Sequence, residues 1–203
     1  CLMDIDPEKL EYIRLCCEKI KKAMDVPATI TETTDRIEAL KGADGVICTV
    51  FNGDIDVWRY DIEVPMEYGV SMNVGDTRSV AGIFRACRNI PLMLDICKDI
   101  ETYCPNAVFL NYTNPMAMLT GYMLRYTNIK TVGLCHSVQG CSRDLLKKLS
   151  MDDKIEGRTD KIAGINHMAW LLDVRDKDGN DLYPEIKKRA KEKNATEKHG
   201  DMV

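Results

Sequence analysis

The stretch "AVFLNYTNPMAMLTGYMLRYTNIKTVGLCHSVQG", residues 107–140, decides the fold class. An apolar run (AVFLNYT) passes through Asn114-Pro115 into a helical pattern (PMAMLTGYMLRYT), and a second apolar run (KTVGLCHS) comes next. Short apolar runs bounded by turn residues and separated by a helix read as a β-α-β unit with parallel strands. Each strand gives way to polar residues: Asn111 and Asn114 at the end of the first, Cys135 and His136 at the end of the second.

The alternation extends towards the N-terminus. "CLMDI" reads as a strand end, and "DPEKLEYIRLCCEKIKKAM" puts Leu10, Ile13, Cys17, Ile20 and Ala23 at helical spacing. "PATITETT" reads as a strand, "DRIEALKGA" as a short helix and "GVICTVF" as a strand of the buried parallel kind. A polar, irregular stretch is expected from Asn52 to about Thr77. A long helix then starts near Val80, with Pro91 opening or kinking it. The fold class is therefore α/β, a doubly wound parallel sheet. Past about Lys154 longer strands with a turn at Asp178-Gly179 predict the start of a second, α+β domain, with a charged helix after it. The expected division is residues 1–150 and 151–203.

Composition narrows the partners. The 203 residues carry a net charge of −4 with both signs interspersed, which argues against a nucleic-acid partner. No apolar run nears the roughly 20 residues of a membrane span, and no signal-peptide pattern is seen. Nine cysteines are scattered without a CxxC pair, so reduced thiols in a cytoplasm are expected. Asn194-Ala195-Thr196 matches a glycosylation sequon, which this context discounts.

Doubly wound sheets bind ligands beyond the carboxyl ends of their strands. The residues there are Asp4, Asn52, Asn111, Asn114, Cys135 and His136. An acidic residue ending an early strand can accept both hydroxyls of a ribose, while Asp4 or Asp6 as a helix cap is the alternative. The glycine-rich phosphate loop that precedes such a strand is not in the sequence, so either the chain is a fragment or the protein lacks the turn that cradles a pyrophosphate.

The motifs "NYTNPMAM", "GLCHSVQG" and "GINHMAW", with "LMDID", "EVPMEYGV", "GIFRACRNIPLMLDIC" and "DLYPEI", resemble glycoside hydrolase family 4 in order and spacing over essentially the whole chain. These are NAD- and manganese-dependent glycosidases, and the likeness is strongest to the α-galactosidase branch. The resemblance implies a fold shared with lactate and malate dehydrogenases. It also implies Cys135 and His167 as ligands of Mn2+ or another divalent metal, and Asn114 as a binder of substrate hydroxyls. Asp4 would hold the adenosine ribose of NAD+, with Asn111 grouped beside it as a cofactor-binding candidate. His136 stands where the phospho-sugar branch has an acidic general acid, and is the catalytic candidate here. By the same resemblance the family's tyrosine base and a substrate arginine are expected beyond Val203, with the chain an internal piece of a longer enzyme.

The implied reaction is oxidation at sugar C3, elimination, addition of water and return of the hydride, an exception to the two-carboxylate scheme. A metal that polarises the C3 carbonyl must keep open positions, so two protein ligands suit it; a thiolate is a soft choice for manganese. The implied partners are a small-molecule glycoside and further copies of the chain, as a dimer or tetramer. A lactate/malate-type 2-hydroxy acid dehydrogenase and a catalytically incomplete fragment are the competing readings. Asp76, Arg78 and Arg85 either face the sugar or form solvated contacts. Trp58 and Arg59 receive no role, and Met116, Met118 and Met123 read as core.

Overall fold

Short polar side chains set where the first helices begin. The computed structural model describes residues 1–71 and 79–196. After β1 (Leu2–Met3), the Asp6 carboxylate accepts the Glu8 and Lys9 N–H groups and starts α1 (Pro7–Met24). β2 (Glu32–Thr33) leads into α2 (Arg36–Leu40), capped by Asp35. β3 (Gly45–Cys48) leads to α3 (Ile55–Glu67), capped by Asp54, and Ser79 caps α4 (Val80–Tyr103). Each such cap satisfies backbone donors that the helix itself leaves open, a contribution of about 1 kcal/mol. Next come β4 (Val108–Asn111), α5 (Met116–Tyr126), β5 (Lys130–Gly133) and α6 (His136–Lys148). A 3-10 turn (Asp152–Lys154), β6 (Thr159–Ile165), β7 (Met168–Arg175) and α7 (Tyr183–Thr196) complete the described chain.

The chain divides into two compact units, Cys1–Gly133 and the residues from Leu134 onward. In the first, β3, β4 and β5 pair in parallel in that order, and β1 pairs in parallel with β2 as a separate set. The three-stranded register places Cys48, Asn111 and Gly133 in one closing row. Phe109, Leu119, Met123, Met93, Cys97 and Ile100 form a core in which each is at most 1% exposed. Burying side chains of this size stabilises by roughly 1.5–3 kcal/mol apiece.

The apolar run "GVICTVF" is buried on one face only. Val46 and Cys48 face the core, whereas Ile47 is 68% exposed, because successive strand residues point to opposite faces. Val108 and Val132 are exposed as well.

The stretch read as irregular after Asn52 holds the helix α3. Its sequence, IDVWRYDIEVPME, has apolar residues in near alternation, and its buried positions are Asp61 and Pro65, so no apolar stripe announces it. α4 is unbroken across Pro91.

In the second unit β6 and β7 form an antiparallel hairpin in which Ile165 pairs with Met168. The reversal is therefore at Asn166-His167. The turn at Asp178-Gly179 lies after β7, where the Asp176 carboxylate accepts the Asp178 and Asn180 N–H groups. α6 gives Leu146 to a core with Leu149, Met151, Val174, Leu182 and Ile186. That packing is why the compact division falls at Gly133/Leu134, ahead of the 150/151 boundary read from the sequence.

Gly133 ends β5 under α5. A Cβ there would stand 2.3 Å from Met116 Sδ and 2.6 Å from Thr120 Oγ1, and Thr120 is buried and bonded to Asn111. Gly133→Ala is expected to lower stability by roughly 1–3 kcal/mol, read as a fall in the urea midpoint at unchanged slope. An unchanged midpoint would mean that α5 can move aside freely.

Candidate active site

Cys135 is the residue at which β5 has ended and α6 is about to begin. Its backbone is extended (φ −143°, ψ 145°), as is usual for a helix N-cap. His167 occupies the two-residue reversal of the hairpin with φ +58°, a left-handed conformation uncommon outside glycine, although histidine adopts it more readily than most residues. Holding it there costs on the order of 1 kcal/mol or more, and such strain tends to gather at functional sites. The two side chains converge: Cys135 Sγ lies 3.5 Å from His167 Nε2 and 3.0 Å from Ser137 Oγ.

Opposing influences act on this thiol. Partial burial pushes it up, while hydrogen bonds from the Ser137 hydroxyl and N–H, from His167 and from Asn166 pull it down to about 7. The N-terminal end of α6 acts in the same direction, since unpaired helix N–H groups favour a nearby thiolate. Burial instead dominates at Cys97, which is pushed up to about 12.

The pair can hold a cation. A thiolate and an imidazole on one first-row metal, at about 2.3 and 2.1 Å, stand roughly 3.1–3.6 Å apart across a right or tetrahedral angle. The observed 3.5 Å lies within that span. Among the described residues no third His, Cys, Asp or Glu joins the pair. His136, next to Cys135, is the first residue of α6 and is exposed. Ser137 and Asn166 were not singled out by the sequence, although each lies within two residues of a proposed ligand.

The remaining candidates lie in the first unit. Asp4 comes directly after β1 and is half-buried, its Oδ1 accepting the Asp6 N–H at 2.9 Å. Capping α1 falls to Asp6, which leaves the other Asp4 oxygen to a ligand. Asn111 is 0% exposed; its Oδ1 accepts the Thr113 N–H at 2.9 Å, and its Nδ2 donates to Thr120 Oγ1 at 3.0 Å. Those bonds shape the loop after β4. Asn114 is half-buried, and its Oδ1 accepts the Met116 N–H at 3.3 Å, leaving Nδ2 as the group it can offer. Arg85 lies 5.4 Å from the ring centroids of both Phe51 and Trp58. Asp76 and Arg78 lie outside the described residues.

The sequence profile described as "Family 4 glycosyl hydrolase" matches residues 1–151, and the one for that family's C-terminal domain matches residues 162–203. The chain belongs to glycoside hydrolase family 4. It is 53% identical over 203 residues to an α-galactosidase of Bacillus subtilis (strain 168), matching all of this chain and 46% of that protein. A 6-phospho-α-glucosidase from gut microorganisms, solved in complex with NAD and Mn2+, superposes with a TM-score of 0.80 at 28% identity, over 95% of this chain and 44% of that one. Lactate dehydrogenase from Eimeria maxima, with NADH and oxamate, shares the fold at a TM-score of 0.65 and 17% identity, over 92% and 51% of the two chains. The family 4 chain is thus an α/β protein with a Rossmann-like parallel sheet, and it spans about half the length of the relatives it matches.

The thiolate is the nucleophile, so reaction of Cys135 with iodoacetamide in chelator-treated protein should rise with pH through about 7 and fall away below it. Peptide mass mapping across pH 5–9 reads this. A midpoint near that of an ordinary cysteine, about 8.5, would show that Ser137 and His167 do not hold the sulfur as described.

Proposed function

We propose that the complete protein hydrolyses α-galactosides with the help of NAD+ and a divalent cation such as Mn2+. The observation that carries this reading is the convergence of Cys135 Sγ and His167 Nε2, 3.5 Å apart, in a member of family 4. The 53% identity to an α-galactosidase supports the choice of sugar. When bound, NAD+ supplies a hydride acceptor and the cation supplies Lewis acidity at the sugar.

Cys135 and His167 are the residues that would hold the cation: a thiol drawn down to about 7 deprotonates near neutrality, as a ligand must. Asp4, with one oxygen committed to the Asp6 N–H, offers the other to ribose hydroxyls. Asn114 donates through Nδ2 to a sugar hydroxyl and so orients the ring. His136, exposed beside Cys135, is the candidate proton donor to the leaving oxygen. Asn111 contributes to cofactor binding by holding the loop after β4 in shape.

Residues 1–150 are assigned to NAD binding and 151–203 to the start of the substrate domain. The profile boundaries at 151 and 162 support that division, and α6 crosses it by packing into the C-terminal core. Apolar side chains exposed along β7 (Met168, Trp170 and Leu172) support self-association into a dimer or tetramer. Nine free cysteines suit a reducing, cytoplasmic setting, and no described helix is long and apolar enough to cross a membrane.

The complete protein should release p-nitrophenol from p-nitrophenyl α-galactoside only when NAD+ and Mn2+ are both added, with no accumulation of NADH. Sustained NADH formation from a 2-hydroxy acid, without glycoside cleavage, would replace this reading with a dehydrogenase. Cys135→Ser should lower kcat by more than about 100-fold, beyond the usual effect of losing a supporting hydrogen bond, while NAD+ binding monitored by fluorescence titration persists.

A further inference from the structure

Two consecutive residues of α4, Arg88 and Asn89, hold three separate segments of the first unit. The Arg88 guanidinium donates to both oxygens of Asp61 on α3, at 3.0 and 2.6 Å. The Arg88 carbonyl accepts from Asn52 Nδ2 at 2.8 Å, which ties in the loop after β3. Pro91 lies three residues further along; having no N–H, it leaves the Cys87 carbonyl without its usual helical donor. Asn89 completes the set. It is 2% exposed, and its Nδ2 donates to the backbone carbonyl of Asn114 at 3.0 Å.

We propose that Asn89 is a positioning residue for substrate binding: it fixes the backbone of Asn114, so that the Asn114 amide meets a hydroxyl of the bound glycoside in a single orientation. This rests on the reading of Asn114 as the residue that binds sugar hydroxyls. Asn114 is held at two points, its carbonyl by Asn89 and its Oδ1 by the Met116 N–H. On the other side its loop is anchored where Thr113 Oγ1 accepts the Val50 N–H at 3.0 Å. The amide of Asn114 therefore has little freedom except in what it offers through Nδ2.

The amide of Asn89 is committed to one contact, the Asn114 carbonyl. Its Oδ1 is buried with no hydrogen-bond partner among the described residues, which makes an amide an unfavourable choice for filling this space. A leucine has the same branched skeleton, but it is bulkier and leaves the Asn114 carbonyl without its donor. Only the amide can supply the donor to Asn114.

The test uses the complete protein, its hydrolysis of p-nitrophenyl α-galactoside with NAD+ and Mn2+, and a double-mutant cycle. Asn89→Leu is expected to stay folded with a lowered Tm, to leave NAD+ titration unchanged, and to lower kcat/KM by about 10- to 100-fold, the scale of an ångström-level misplacement of a reacting group. In an Asn114→Ala background the same substitution should have no further effect on kcat/KM, because its influence passes through Asn114. Galactose binding by calorimetry should weaken in parallel in both single variants. Asn89→Ala serves as a second variant if the leucine overpacks.

The proposal is overturned if Asn114→Ala lowers kcat/KM while Asn89→Leu does not, if the two effects multiply, or if both Asn89 variants unfold, which would make the residue structural. If Asn114→Ala itself leaves kcat/KM and galactose affinity intact, the reading of Asn114 fails, and this proposal fails with it by a distinguishable result.

Discussion

Cys48, Asn111 and Gly133 end their strands in a single row, and that shared level governs how the first unit presents its polar groups. The pairing continues for one residue beyond the row, where the Tyr112 N–H donates to the Cys48 carbonyl at 2.8 Å. Thr113 then takes over with its side chain, meeting Val50 N and Cys48 Sγ. The loops after β3 and β4 are thereby bound to each other before either leaves the sheet. An open parallel sheet binds ligands at such an edge because strand ends and helix starts gather their polar groups there. Asn111 is the cost of this arrangement, an amide wholly inside the protein whose donors and acceptor must all be met locally, as they are by Thr113 and Thr120.

Much of this is legible in the sequence. Parallel strands at Gly45–Cys48, Val108–Asn111 and Lys130–Gly133 are dictated by apolar runs with helices between them, and the polar residues at their ends stand out by position alone. α3 is not legible, because its helix is held by a carboxylate paired with Arg88 and by aromatic contacts rather than by an apolar stripe. The turn at Asp178-Gly179 is legible and is present after β7, whereas the hairpin reversal at Asn166-His167 carries no Gly-containing signal. Asn166-His167 reverses the chain although His167 must take positive φ, which registry between Ile165 and Met168 imposes. Asn111 has the position of a ligand because it stands at a strand end; only burial distinguishes an outward amide from one turned into its own loop.

The second unit solves a different problem, that of bringing a soft anion and an imidazole together from points 32 residues apart. The sulfur is placed by a helix start and the ring by a hairpin tip, two features whose geometry is set by backbone hydrogen bonds. Further along α6, buried Ser142 donates to Asp160 and accepts from Arg158 at 2.8 Å, tying the helix to the start of β6. Helix and hairpin are therefore joined at a second place, and the separation of Cys135 from His167 is supported by the scaffold as well as by their own contact.

The exposed hairpin has a practical corollary. The chain contains two tryptophans, Trp58 in the first compact unit and Trp170 in the second. Trp58 is half-buried beside Phe51 and Arg85, while Trp170, three residues from His167, is 74% exposed. Each half of the fold thus carries its own intrinsic fluorophore in a contrasting environment. Emission from the indole near the hairpin tip reports locally on whatever arrives there, while the other registers the state of the nucleotide-type sheet, with no label added to either.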